Sequence, residues 1–266
     1  LIYIIDSLVN RYKEKLNIKW NSMEDPKDKV IRNRISMHTS IPDETLQGIH
    51  GHLTSDHIRL IQEVTSKIDN DGYLEYNDVP KTIDDICSDF RSFVKKDRMN
   101  ILVIDNFNIC TDLCHHANTT DREIYVSSKI THLNAHLKSN GYKCCTIVVD
   151  HLKKEQLDKS NKDSGRRPST AHLKGSERKY ATLTQLLLIN RPGKYRDIVD
   201  EESKAPDILI NGTYWKRKDI LARNDSSGLI LIEKTESRNS ADTGDDVVAR
   251  LYVKINTMNF KNLYEI

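Results

Sequence analysis

The sequence predicts an α/β chain built on a mostly parallel, twisted sheet flanked by helices, with a late antiparallel hairpin. Three observations predict it. Two short apolar runs, Ile101-Leu-Val-Ile104 and Cys144-Cys-Thr-Ile-Val-Val149, each end on an acid, Asp105 and Asp150. Continuous apolar runs of this length, rich in β-branched residues, read as strands buried on both faces. Stretches of helical periodicity stand around them, and strands alternating with helices imply a parallel sheet covered on both sides. An acid at the carboxyl end of such a strand sits where open α/β sheets place their ligands. The plainer reading is a strand-capping Asp.

The elements follow in order. Leu1 to Leu16 carries Leu1, Ile4, Ile5, Leu8 and Val9 at helical spacing. Asn17-Ile-Lys-Trp20 is a short candidate strand, and Pro26 suits the first turn of a helix bearing Val30, Ile31 and Ile35. Thr54 or Ser55 caps a helix through Ile58, Ile61, Val64 and Ile68. Asn70-Asp-Gly72 is a turn before Tyr73-Leu-Glu-Tyr76, which alternates as a strand does. Thr82 caps an amphipathic helix with Ile83, Ile86, Phe90 and Val94. Glu123 to Lys138 is a helix with Ile130, Leu133 and Leu137 on one face. Leu183 to Ile189 and Leu229 to Ile232 are further apolar runs, and Val247 to Ile255 alternates as a late antiparallel strand or edge hairpin would. Two long loops are predicted, Lys159 to Pro168 and Gly193 to Asn224, the second containing Pro206 and Gly212. Loops of that length are often functional.

Composition bounds the class. The chain has 266 residues, 37% hydrophobic and 30% charged, with a mean hydropathy of −0.61. That describes a soluble protein with a sizeable core. No apolar run approaches the ~20 residues that span a bilayer, and Leu1-Ile-Tyr-Ile-Ile5 is a poor signal peptide because Asp6 and Arg11 soon interrupt it. A net charge of +2 neither favours nor excludes nucleic acid, since local patches bind phosphate. Five cysteines without framework spacing imply reduced thiols in a cytosol-like compartment. Cys110-x-x-x-Cys114-His115-His116 invites a zinc reading, but the spacing is loose and no second pair stands at a zinc-finger distance. The chain opens on Leu1 rather than Met, and so reads as a fragment or a processed form.

The order of the pieces carries a resemblance. Asn21-Ser-Met-Glu-Asp-Pro26 is followed by Asp78-Val-Pro-Lys-Thr-Ile83, then by Ile101 to Asp105 with Asn106-Phe-Asn108. Asp150-His-Leu-Lys-Lys-Glu155 comes next, then Arg166-Arg-Pro168, Leu173-Lys-Gly-Ser176, Asn190-Arg-Pro192 and Ile232-Glu-Lys234. This ordered set resembles the RecA-like ATPase domain of the DnaB family of hexameric replicative helicases, over nearly the whole chain. The family has a Ser-Leu-Glu segment, an Asp-x-Pro-x-x-Thr-Ile segment, an Ile-Asp-Tyr-Leu-Gln type Walker B run and a Ser-Gln-Leu-Asn-Arg sensor strand. It then has an Arg-Pro…Leu-Arg-Glu-Ser-Gly DNA-binding loop and a late Lys-x-Arg element. No single motif is specific; the set in order is.

The resemblance implies a RecA-like P-loop NTPase core over residues 1–266, using ATP and Mg²⁺ to drive translocation on single-stranded DNA. It implies Glu24 as the acid that polarises the attacking water and Asp105 as the Walker B acid holding Mg²⁺ through water. Asn108 falls where the family has Gln, as a polar relay between nucleotide and DNA. His151 falls at the sensor Gln, a position where the related mitochondrial Twinkle-like helicases also have His; Asp150 replaces a family Ser. Lys174, Gly175 and Ser176 match the DNA-contacting loop, Lys174 keeping the charge of the family's Arg without its fork. Arg166 and Arg167, with Lys159 and Lys162, are supporting phosphate contacts. Lys234 matches the Lys of Lys-x-Arg, which reaches the neighbouring subunit's nucleotide; here the Arg is displaced by two positions, to Arg238.

One family element is missing. No Gly-x-x-x-x-Gly-Lys-(Ser/Thr) occurs in the chain, and the family's spacing places it immediately before Leu1. Truncation just after the P-loop is the expected explanation, leaving a fragment that binds nucleotide poorly and is inactive alone. Two other readings share the fold: another RecA-class ATPase of recombinase or repair type, and a non-catalytic binding module that has lost its P-loop. The implied partners are single-stranded DNA, further copies of the chain in a homo-hexamer, and a primase or helicase loader, with no membrane. The implied place is the cytoplasm of a bacterial or phage-infected cell.

Overall fold

The computed structural model describes residues 1–69, 72–151 and 184–190, and the strands 208–210, 213–215, 227–237, 246–254 and 259–262. They fall into two units. One contains Leu1–Ile35 and Thr54–His151; the other contains Ser36–Leu53 and the described strands from Gln185 onward.

The first unit opens with α1 (Ile2–Tyr12) and a 3-10 turn, Lys13–Lys15, that delivers the chain into β1 (Leu16–Ser22). α2 (Lys27–Thr39) follows, and α3 (Asp43–Leu46) belongs to the second unit. α4 (Ser55–Asp69), β2 (Leu74–Asn77), α5 (Ile83–Phe93) and β3 (Met99–Asp105) come next, then α6 (Phe107–Asp112), α7 (Thr119–Ser139) and β4 (Lys143–Val148). The strands form one parallel sheet in the order β2-β1-β3-β4. Successive side chains point to opposite faces, and both faces are covered. Ile18 and Trp20 of β1, with Ile101 and Val103 of β3, pack with Ile5 and Val9 of α1 and Val30 of α2. Leu102 and Ile104 pack with Ile86 and Phe90 of α5 and Val126, Leu133 and Leu137 of α7.

β1 is buried along all seven residues although its sequence alternates with polar side chains, which is why only Asn17–Trp20 stands out as a strand. Its polar residues find partners on neighbouring elements. Asn17 Nδ2 donates to the Phe93 carbonyl at 2.9 Å and to Asn100 Oδ1 at 3.0 Å. Lys19 pairs with Glu75 at 2.6 Å and lies over the Phe93 ring. Buried polar groups are tolerated on these terms.

The helix starts are set by side chains. Thr82, Asn106 and Asn118 accept from the backbone N–H of Asp85, Ile109 and Asp121, satisfying first-turn donors that have no partner within the helix. The Asn118 cap starts α7 ahead of Glu123, the start expected from the sequence. Pro26 stands just before α2 rather than inside it, and the Asp78 carboxylate accepts the Lys27 N–H at 2.9 Å.

In the second unit the antiparallel pairing expected late in the chain extends over a whole sheet. β5 (Gln185–Asn190), β8 (Ser227–Ser237), β9 (Asp246–Lys254) and β10 (Asn259–Asn262) make a sheet in the order β10-β9-β8-β5, with every neighbour antiparallel. β8 and β9 are separated by only eight residues, too few for the crossover a parallel pair needs. β9 is an interior strand rather than an edge, because β10 extends the sheet beyond it. Between Gly193 and Asn224, read as loop, β6 (Ile208–Ile210) pairs with β7 (Thr213–Trp215). The intervening sequence, Asn211-Gly212, is the strongest short hairpin signal there is. Among the described residues no helix is long and apolar enough to cross a membrane.

Candidate active site at the carboxyl ends of β1, β3 and β4

The chain leaves β1 toward β2 on one side and leaves β3 toward β4 on the other. Strand order therefore reverses between β1 and β3, and the crevice outside the carboxyl ends at such a point is where open α/β sheets bind ligands. Ser22 and Asp105 are in register across it. Three backbone hydrogen bonds tie the strand ends together. The Met23 N–H donates to the Asp105 carbonyl at 2.7 Å, the Val149 N–H to the Ile104 carbonyl at 2.9 Å, and the Phe107 N–H to the Val149 carbonyl at 2.9 Å. The Glu24–Asp25 turn is held by Ser22 Oγ, which donates to the Asp25 carbonyl at 2.9 Å.

Four of the residues singled out from the sequence meet here: Glu24, Asp105, Asn108 and His151. His151 Nε2 stands 3.2 Å from Glu24 Oε2, both side chains about half exposed, at 53% and 49%. Asn108 Nδ2 donates to Asp150 Oδ1 at 3.1 Å, and that oxygen also accepts the His151 N–H at 2.8 Å. Burial pushes the Asp105 carboxyl above its ordinary value, and the Glu24 and Asp25 carboxylates push the same way. His151 opposes them. Leu1 lies close enough to Asp105 to put the amino end of α1 at the same crevice, and a helix amino end favours anions.

Asn106 is the residue that sequence reasoning missed. Its Nδ2 donates to Glu24 Oε2 at 2.6 Å and lies 3.0 Å from His151 Nε2. Its Oδ1 accepts the Ile109 N–H at 3.2 Å. His151 Nε2 accepts from Asn106 in one tautomer and donates to Glu24 in the other, one at a time. An Asn between a strand-end Asp and an apolar Phe is the available signal, and it announces the cap rather than the contact with Glu24.

Lys234 lies on β8, opposite Leu187 of β5 and Asp246 of β9. Arg238, Lys174, Gly175, Ser176, Arg166, Arg167, Lys159 and Lys162 lie outside the described residues. Cys110, on the buried face of α6, is fully enclosed in the core, its thiol pushed up to about 12 by burial. All five cysteines are free thiols.

The chain matches solved structures in fold. One solved ATPase domain aligns with a TM-score of 0.72 at 14% identity, covering 98% of this chain and 79% of that one. A DnaB-like replicative helicase, solved for its interactions with primase, aligns with a TM-score of 0.70 at 15% identity. That alignment covers 97% of this chain and 53% of the helicase. These identities carry the fold alone. No curated protein matches. The family model of the DnaB-like helicase C-terminal domain matches residues 2–222, most of the chain, and with that match the chain belongs to the DnaB-like helicase C-terminal domain family.

Proposed function

We propose that this domain is the motor of a replicative DNA helicase, in which ATP hydrolysis drives translocation on single-stranded DNA and duplex unwinding. The observation that carries the reading is the position of Glu24 and Asp105 on either side of the strand-order reversal, beside the amino end of α1. One carboxylate suited to a cation and one suited to a water, at the end of a sheet where phosphates are held, is the arrangement phosphoryl transfer needs.

Asp105 fits Mg²⁺. It is a hard oxygen donor, and burial and Glu24 together disfavour its charged form, so a divalent cation offsets that cost. Mg²⁺, when bound, neutralises charge on the β- and γ-phosphates. Glu24 acts on water. Its Oε2 is held by Asn106, and among the described residues its Oε1 carries no hydrogen bond. Oε1 takes a proton from water as the water oxygen bonds to the γ-phosphorus. The bond from that phosphorus to the bridging oxygen breaks, and ADP leaves with the electron pair. His151, beside Glu24 and next to Asp150, senses whether the γ-phosphate is there. Lys234 and Arg238 complete a neighbouring subunit's site in a homo-hexamer. Lys174 to Ser176, with Arg166, Arg167 and Asn108, form the path to single-stranded DNA. Primase or a loader binds the assembly in the cytoplasm of a bacterial or phage-infected cell.

The test is ATP hydrolysis by the full-length protein, with and without single-stranded DNA. DNA stimulates turnover, and Glu24→Gln lowers kcat by ~1,000-fold or more while nucleotide binding persists. Unchanged turnover in Glu24→Gln refutes the assignment.

A further inference from the structure

We propose that Asn106 is the positioning residue for Glu24, fixing which carboxylate oxygen faces the attacking water; this rests on Glu24 having the role given above. Glu24 sits in a turn with its side chain about half exposed, at 49%. An exposed glutamate samples several rotamers, and a general base that wanders loses rate steeply with misplacement. Asn106 is the opposite kind of residue. It is 4% exposed and its amide is held from both ends. Oδ1 caps α6 through the Ile109 N–H, and the backbone on either side is tied to β1 and β4 through Asp105 and Phe107. From that fixed base Nδ2 reaches Glu24 Oε2 at 2.6 Å.

The chemistry suits positioning. A neutral amide donates to the carboxylate without supplying a full positive charge, so it orients Glu24 without stripping its basicity as Lys or Arg would. The hydrogen bond occupies Oε2 and leaves Oε1 for water. The same Nδ2 lies 3.0 Å from His151 Nε2, so the amide also sets the spacing between Glu24 and the end of β4. Asn108, two residues on, fastens Asp150 at 3.1 Å. The first turn of α6 thus holds the residues that follow β1 and β4 together.

The experiment uses the full-length protein and steady-state ATP hydrolysis, with the thermal midpoint of each variant recorded. Asn106→Ser keeps a capping oxygen and removes the amide. It lowers kcat by about 10- to 100-fold, with KM for ATP and the Kd of a fluorescent ATP analogue within about twofold of wild type. Asn106→Asp keeps cap and volume but faces Glu24 with a second carboxylate, and loses at least as much; it decides the matter if the serine variant does not fold. The two losses must not multiply. In a Glu24→Asp background the shorter acid no longer reaches residue 106, so adding Asn106→Ser costs less than about twofold more. Folded serine and aspartate variants with wild-type kcat overturn the proposal, as does a loss in KM alone or a full multiplicative loss in the Glu24→Asp background. Full turnover in Glu24→Gln is a different failure, that of Glu24 as the catalytic acid.

Discussion

Asp105 stands half-buried beside Glu24, and both burial and that neighbour raise its pKa. The folded state therefore favours protonated Asp105. The resulting cost to stability is fully present above the raised value and disappears below the ordinary carboxyl value of about 4. In metal-free buffer, Asp105→Asn is expected to raise the thermal midpoint by a few degrees at pH 7. The gain shrinks as pH approaches about 4; equal effects at both pH values contradict the electrostatic account. Burial likewise pushes the Cys87 thiol to about 11 and the Cys110 thiol to about 12. Native protein at about pH 8 should leave both unmodified by a thiol reagent, whereas protein unfolded in guanidinium reacts at all five cysteines. Modification of Cys110 in the native state refutes its placement on the buried face of α6. The resemblance singles out Glu24, Asp105 and His151, and the ends of β1, β3 and β4 bring them to one crevice. Asn106 was not legible in the sequence, because what makes it matter is a contact with a residue 82 positions earlier, which only the β1–β3 pairing creates.

At the scale of elements, the joint between α1 and α2 is ionic. Arg34 Nε donates to Asp6 Oδ1 at 2.9 Å, with both side chains almost fully buried, and Asp6 also accepts from Asn10 at 2.8 Å. Removing one partner of such a pair leaves a buried charge, so Asp6→Ala is expected to cost about 3–5 kcal/mol in chemical denaturation. The double variant Asp6→Leu with Arg34→Met recovers much of that loss; a double variant as unstable as the single one contradicts it. Thr82→Ala removes the α5 cap, with an expected cost of ~1 kcal/mol. The helices were readable because their apolar spacing and caps are local. β3 and β4 were readable because their apolar runs are nearly continuous, although of the two only β3 is buried along most of its length. β1 was under-read because alternate residues are Asn and Lys whose partners, Phe93, Asn100 and Glu75, come from distant segments.

At the scale of the molecule, the parallel half is legible in the alternation of helices and strands along the chain. The antiparallel half is harder, because a lone apolar run such as Leu183 to Ile189 does not say in which direction its partner runs; pairing with β8 decides that. The Asn211-Gly212 pair between β6 and β7 is a hairpin signal in the sequence, but the polar composition around it reads as loop. The central claim, that this fold with Glu24 and Asp105 at its strand-order reversal belongs to a DNA-unwinding motor, is tested most directly by strand displacement. Full-length protein is mixed with a labelled forked duplex, Mg²⁺ and ATP. The account predicts that the strand is released with ATP, retained with a non-hydrolysable analogue, and retained with Glu24→Gln even though that variant still binds nucleotide and DNA. Release that is independent of ATP, or that survives Glu24→Gln, contradicts it.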